Sequence, residues 1–178
     1  ITVSNVNETP TGINLPVAPI TENLPGGTVL GTFSSNDPDA GNTFTYTFVS
    51  GAGSADNSSF TISNGQLLTA IGFDFETRSS ATIRVRTTDQ GGQSFETTFT
   101  FPVTDVNEAP VIAANQEFTV AENSAVSVIV DAVVATDPDK TSPFNSRTFS
   151  ITGGNTDNAF SINASTGQIA VNNPAILN

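Results

Sequence analysis

The sequence predicts an all-β protein, a tandem of antiparallel β-sandwiches of which the second is incomplete. Three observations predict it. Apolar and polar residues alternate over short runs rich in Thr, Val, Ile and Phe, as half-buried strands require. Gly, Pro and Asn clusters separate the runs, and no stretch has a helical period. Whole blocks of sequence also return a hundred residues later. Val3-Ser4-Asn5-Val6-Asn7-Glu8-Thr9-Pro10 returns as Val103-Thr104-Asp105-Val106-Asn107-Glu108-Ala109-Pro110, and Phe60-Thr61-Ile62-Ser63 as Phe160-Ser161-Ile162-Asn163. A repeat of that size can bury its own core, so each is a domain-sized module.

The elements follow in order. Thr28-Val29-Leu30-Gly31-Thr32-Phe33 reads as a short strand after the turn Pro25-Gly26-Gly27. Thr43-Phe44-Thr45-Tyr46-Thr47-Phe48-Val49 has period 2 and puts Phe44, Tyr46 and Phe48 on one face. Gly51-Ala52-Gly53 closes it, and Phe60-Thr61-Ile62 is a strand ending at the turn Asn64-Gly65. Ala81-Thr82-Ile83-Arg84-Val85-Arg86-Thr87 turns Ile83 and Val85 inward and Arg84 and Arg86 to solvent. After Gln90-Gly91-Gly92, the run 95–103 continues in kind. About seven strands in about 100 residues is the count of an antiparallel sandwich. The expected domains are 1–108, with a preceding half-linker, and 109–178. The second lacks counterparts of residues 74–105, so its last strands come from a continuing parent chain or from another chain.

Charge narrows the function. The 178 residues hold 17 acids and 5 bases, for a net charge of -12. Nucleic acid is excluded as a partner, because phosphate binding needs a basic surface. There is no Cys, His, Met or Trp, so disulfides, the usual zinc, haem and iron–sulfur ligands, and His-based triads are ruled out. No apolar run is long enough to span a membrane. The repeated blocks are themselves acidic: Thr21-Glu22-Asn23 returns as Ala121-Glu122-Asn123, and Asn36-Asp37-Pro38-Asp39 as Thr136-Asp137-Pro138-Asp139. Core packing explains repeated Phe and Ile. Repeated carboxylates and amides are the ligands of a hard cation.

Taken together, Asp37-Pro38-Asp39-Ala40-Gly41-Asn42, Phe73-Asp74-Phe75-Glu76-Thr77 and Asp105-Val106-Asn107-Glu108-Ala109-Pro110 resemble the motifs of cadherin repeats, most closely those of long secreted bacterial proteins. The resemblance implies Greek-key, immunoglobulin-like sandwiches joined end to end, with Ca2+ at each junction. It implies a ligand set of Glu22, Asp74, Glu76, Asp105, Asn107, Glu108, Asp137, Asp139 and Asn145, with the carbonyls of Val106 and Ala109. It also implies a weaker half-site of Asn5, Asn7, Glu8, Asp37, Asp39, Asn42 and Asp89. If residues 73–76 are extended, Phe73 and Phe75 point into the core while Asp74 and Glu76 point out together. Asn145 follows a three-residue insertion relative to Asn42, and Asn5 stands where Asp105 stands a repeat later.

The sequence therefore reads as an extracellular, calcium-binding structural or adhesive segment of a long surface protein, and not as an enzyme. Its partners are calcium and neighbouring repeats, with homophilic or glycan contacts. The alternatives are a carbohydrate-binding module and a filament subunit assembled by strand exchange. Paired acids such as Asp74 and Glu76 on one short segment cannot flank a sugar from opposite sides, which argues against a glycosidase. Asn7-Glu8-Thr9, Asn57-Ser58-Ser59 and Asn163-Ala164-Ser165 match the glycosylation sequon, as composition alone would often produce.

Overall fold

The computed structural model describes residues 1–177; Asn178, the last residue of the second expected repeat, lies outside the described residues. The chain forms two compact units, Ile1–Val106 and Asn107–Asn178. Apart from short 3-10 turns, its regular structure is all strand.

The first unit is a sandwich. One sheet runs in the order β2 (Ile20–Thr21), β9 (Ser94–Thr104), β8 (Ser80–Asp89), β5 (Phe44–Phe48); the other runs β3 (Val29–Thr32), β7 (Gln66–Thr69), β6 (Phe60–Ser63). A two-stranded pair, β1 (Gly12–Asn14) with β4 (Ser34–Asn36), flanks them. β6–β7 and β8–β9 are hairpins within one sheet, whereas the chain crosses between the sheets from β2 to β3, from β5 to β6 and from β7 to β8, as in a Greek key. Only β2 and β9 pair in parallel.

The period-2 reading of β8 holds residue by residue. Ala81, Ile83, Val85 and Thr87 are fully buried, and Asp89 nearly so. Phe101 and Val103 of β9 face the same core, and Phe33, Phe60, Leu67 and Phe73 close it from the other side. Phe60 lies 5.7 Å from Phe101 and 5.4 Å from Phe73, ring centre to ring centre. Burying aromatic rings of this size supplies much of a small sandwich's stability. The buried hydroxyls are satisfied, with Ser35 Oγ 2.8 Å from Thr87 Oγ1 and 3.1 Å from the Tyr46 hydroxyl.

On the outer face of the hairpin, Arg84 and Arg86 are not simply solvated. Both donate through Nε to Glu96 across the strand pair, each at 2.9 Å. Between β6 and β7, Asn64 and Gly65 have φ of 50° and 73° and link Ser63 to its partner Gln66. This is the two-residue turn that an Asn-Gly pair favours.

The second unit holds two smaller sheets, β10 (Val111–Ile112) with β12 (Ala135–Thr136), and β11 (Ile129–Ala132), β14 (Gln168–Val171), β13 (Phe160–Ile162) in that order. The β13–β14 loop is longer than its counterpart and covers residues 163–167. No helix is long and apolar enough to cross a membrane among the described residues.

Candidate metal centre

Glu22 follows β2 directly, and its N–H donates to Thr104 O at 3.2 Å. It is only 2% exposed. Phe75 N–H donates to its Oε2 at 2.7 Å and Val106 N–H to its Oε1 at 2.6 Å. The carboxylate thus ties the segment around residue 75 to the chain leaving β9. Each of its oxygens uses one hydrogen-bonding direction and keeps another. One oxygen each of Glu22, Glu76 and Asp105 lies within 4.8 Å of the others. Two oxygens on one calcium, each about 2.4 Å away, can be no farther apart than that. The three arginines of this unit are engaged elsewhere, Arg78 with Asp56 and Arg84 and Arg86 with Glu96.

Asp74 is placed differently from Glu76. Residues 75–77 form a turn rather than an extended segment, so strict alternation does not govern them. Asp74 begins that turn, with Oδ1 accepting from Thr77 N–H and Oδ2 from the Thr77 hydroxyl, both at 2.9 Å. Phe73 is buried against Phe60, and Arg78 lies over its ring at 5.3 Å.

The Asp-Pro-Asp loop has the same local geometry in both units. In the first, Asp39 N–H donates to Asp37 Oδ1 at 2.9 Å, and Glu8 N–H to Asp39 Oδ2 at 2.8 Å. In the second, Asp139 N–H donates to Asp137 Oδ1 at 3.2 Å, and Glu108 N–H to Asp139 Oδ2 at 2.9 Å. Asp139 is 2% exposed. Three carboxylate oxygens in these loops are buried without a hydrogen bond: Asp37 Oδ2, Asp137 Oδ2 and Asp139 Oδ1. A buried, unsatisfied oxygen is costly, and a cation is one way to satisfy it. Oxygen-only donors suit Ca2+ and do not suit a soft transition metal.

Amides partly fill the weaker half-site. Asn5 Nδ2 donates to Asp39 Oδ1, and Asn7 Nδ2 to Asp89 Oδ2 at 3.0 Å. Gln90 Nε2 donates to Asn42 Oδ1 at 2.7 Å, and Gln93 N–H to Asp89 Oδ1 at 2.8 Å. The sequence reading missed both glutamines, because Gln90-Gly91-Gly92 signals only a turn. Glu8 has its carboxyl raised above the ordinary value, first because it shares a hydrogen bond with Asp39 and then through that group's charge. Asp39 is lowered, first by the Glu8 N–H and then by Asn5.

The remaining expected ligands are less engaged. Asn145 is exposed, and its Nδ2 donates to Lys140 O at 3.1 Å. Asn107 Nδ2 donates to Glu108 O at 3.3 Å. Val106 and Ala109, expected to act through their carbonyls, are exposed positions. The lone tyrosine stacks on Phe33 at 4.9 Å, so it forms no open platform for a sugar ring.

A family model described as the cadherin domain matches residues 116–177. Protein dachsous of Drosophila melanogaster is 34% identical over 167 residues, covering 89% of this chain and 5% of its own length. Human protocadherin gamma-A9 is 32% identical over 184 residues, 94% of this chain and 19% of its own length. The chain therefore spans only a small part of these relatives. Among solved structures, human protocadherin-24 EC1-2 aligns over 95% of this chain and 80% of that one, with a TM-score of 0.73 and 24% identity. Mouse cadherin-23 EC22-24 aligns over 93% of this chain and 54% of that one, with a TM-score of 0.67 and 24% identity. The structural likeness establishes the fold. These relatives are animal proteins and lend no support to a bacterial source or a filament. Residues 116–177 are thus identified as a cadherin domain, and the chain as a tandem of cadherin-like repeats, extracellular structural modules and not enzymes.

Proposed function

We propose that this chain is a calcium-binding, adhesive segment of a long extracellular protein, with repeats divided as 1–108 and 109–178. The observation that carries the reading is the convergence of Glu22, Glu76 and Asp105 oxygens beside a fully buried Glu22. The unsatisfied buried oxygens of Asp137 and Asp139 support it. In this reading Asn107, Glu108, Asp137 and Asp139 complete the ligand set with the carbonyls of Val106 and Ala109. Asp74 and Asn145 are its outlying members. Bound calcium would neutralise the mutual repulsion of these carboxylates. The chain's own part is to hold Glu22 by two backbone N–H groups, so that one ligand is rigid before any ion arrives. Asn5, Asn7, Glu8, Asp37, Asp39, Asn42 and Asp89 form a half-site that binds more weakly, because amide donors already occupy two of its carboxylates.

Thermal unfolding in calcium, in EGTA and in magnesium tests the reading. Extracellular calcium modules have Kd values of about 0.1–1 mM, so about 10 mM calcium should add roughly 1.4–2.7 kcal/mol per ion, or about 6–20 °C in melting temperature. Magnesium should do much less, since it demands a small octahedral site. Identical melts in calcium and EGTA would overturn the calcium reading and leave a passive spacer.

A second reading, strand exchange with another copy, is favoured by one observation. Phe118, Val120, Val130, Phe160 and Ile169 line an open apolar cavity of about 220 Å³ in the second unit. A monomeric mass in solution at high concentration would rule it out.

A further inference from the structure

We propose that Asn163 is the acceptor of an N-linked glycan. The inference rests on the extracellular location and is independent of calcium. The three sequons begin at Asn7, Asn57 and Asn163. A sequon carries a glycan compatible with the fold only where its amide nitrogen opens to solvent, as in a surface loop.

Two of the three fail that requirement. Asn7 Nδ2 donates to Asp89 Oδ2 at 3.0 Å. Its amide is also pressed against the main chain at Gly91, where an added Cβ would fall 2.3 Å from Asn7 Cγ and 2.5 Å from Nδ2. Asn57 is locked at both ends. Its Nδ2 donates to Val49 O at 2.9 Å, and its Oδ1 accepts from Arg84 N–H at 3.0 Å. The third residue of that sequon, Ser59, is buried.

Asn163 meets it. Asn163, Ala164 and Ser165 are all exposed. Asn163 Oδ1 accepts from Ser165 N–H at 2.9 Å and from Thr166 N–H at 3.0 Å. Its Nδ2 makes no hydrogen bond among the described residues. The carbonyl oxygen is thus pinned to the turn while the nitrogen is left to solvent. The sequon also occupies a loop, residues 163–167, that is longer than its counterpart in the first repeat. The equivalent hairpin of the first unit turns through Asn64 and Gly65 alone and has no sequon.

The transfer is a substitution at the anomeric carbon of an oligosaccharide carried on a polyisoprenyl pyrophosphate. Nδ2 forms a C–N bond, the anomeric C–O bond breaks, and the lipid pyrophosphate leaves with the electron pair. The displaced amide proton passes to a basic group of the transferase. One Nδ2 hydrogen and Oδ1 remain, so both turn hydrogen bonds survive.

The test is to secrete the full chain, behind a signal sequence, from cultured animal cells and measure its mass before and after amidase removal of N-glycans. One glycan is expected on the wild type, on Asn7→Gln and on Asn57→Gln, and none on Asn163→Gln or Ser165→Ala. Ser165→Ala keeps Asn163 and the backbone donors of its turn, so its loss of glycan is not a loss of fold. An unmodified wild-type chain, or a glycan that persists in both Asn163→Gln and Ser165→Ala, would overturn the proposal.

Discussion

Phe60 and Phe160 hold the same place in the repeat, yet Phe60 is 4% exposed and Phe160 is only half-buried. Leu67 and Ile169 differ in the same direction, as do Ile20 and Val120, and Phe33 and Val133. The difference is not in the local sheet. β3, β7 and β6 recur as β11, β14 and β13 with corresponding partners and the same irregularity, between Val29 and Gly31 in one and between Ile129 and Asp131 in the other. What differs is the β8–β9 hairpin, which has no counterpart among the described residues of the second unit. β5 pairs only with β8, and β2 only with β9. Their counterparts, residues 147–151 and 120–121, are not strands. Phe149 and Ile151 keep the alternation of Tyr46 and Phe48. A strand pattern therefore stays irregular here when its partner is absent, because β propensity measures fit to a neighbour more than a preference of the backbone.

The largest effect that would break this comparison is a truncation at the shared phenylalanine. Phe60→Ala removes a ring packed against Phe73 and Phe101 and should cost about 3–5 kcal/mol. Phe160→Ala, with part of its ring already in solvent, should cost roughly half as much, since the transfer energy scales with the area buried. Denaturant unfolding of both variants against the wild type checks this. Equal losses would mean that the second unit has a closed core after all.

A smaller effect separates the two glutamates that open each repeat. Glu22 is buried and accepts two backbone N–H bonds, whereas Glu122 is exposed. Glu22→Ala leaves the N–H groups of Phe75 and Val106 without their acceptor; Val106 is exposed, so water replaces part of what is lost, and the cost should be about 1–3 kcal/mol in all. Glu122→Ala should stay within about 0.5 kcal/mol. Melting both variants in EGTA measures the structural part; repeating the melts in calcium should show the calcium response lost only in Glu22→Ala. A wild-type response in Glu22→Ala would remove Glu22 from the ligand set.

How legible the molecule was in its sequence depends on how far apart the interacting residues lie. β5, β8 and β9 could be read because alternation is local, and the Asn64-Gly65 turn because its backbone needs those residue types. β7, the centre of the second sheet, passed unread. Its run Gln66-Leu67-Leu68-Thr69 does not alternate cleanly, and its place follows from pairing with both β3 and β6. At the site, the repeat itself pointed to Glu22 and to the Asp-Pro-Asp loops. Alternation correctly put Phe73 and Phe75 against the core, but it could not foresee that residues 75–77 turn and that Asp74 accepts from Thr77. The ladder of Arg84 and Arg86 on Glu96 was invisible for the same reason as β7, since it joins positions on two strands whose register is a tertiary fact.

That ladder allows the finest test, because only the first unit has the hairpin that carries it. Glu96 is held below the ordinary carboxylate value, first by its hydrogen bond from Arg86 and then by that from Arg84. A carboxylate that binds protons less readily when folded adds stability above its unfolded pKa, about 4.3. That contribution is lost as the pH falls through the lowered folded value. Glu96→Gln keeps the shape and removes the charge. The gap in unfolding midpoint between wild type and Glu96→Gln should therefore be fully open above the unfolded value of about 4.3 and close as the pH falls through the lowered folded one. It should also shrink in high salt, since the pair lies at the surface. A gap that ignores both pH and salt would assign the contribution of Glu96 to packing across the β8–β9 pair. The arginines would then be coverings of the sheet face, held in place by the hairpin and adding nothing to its closure.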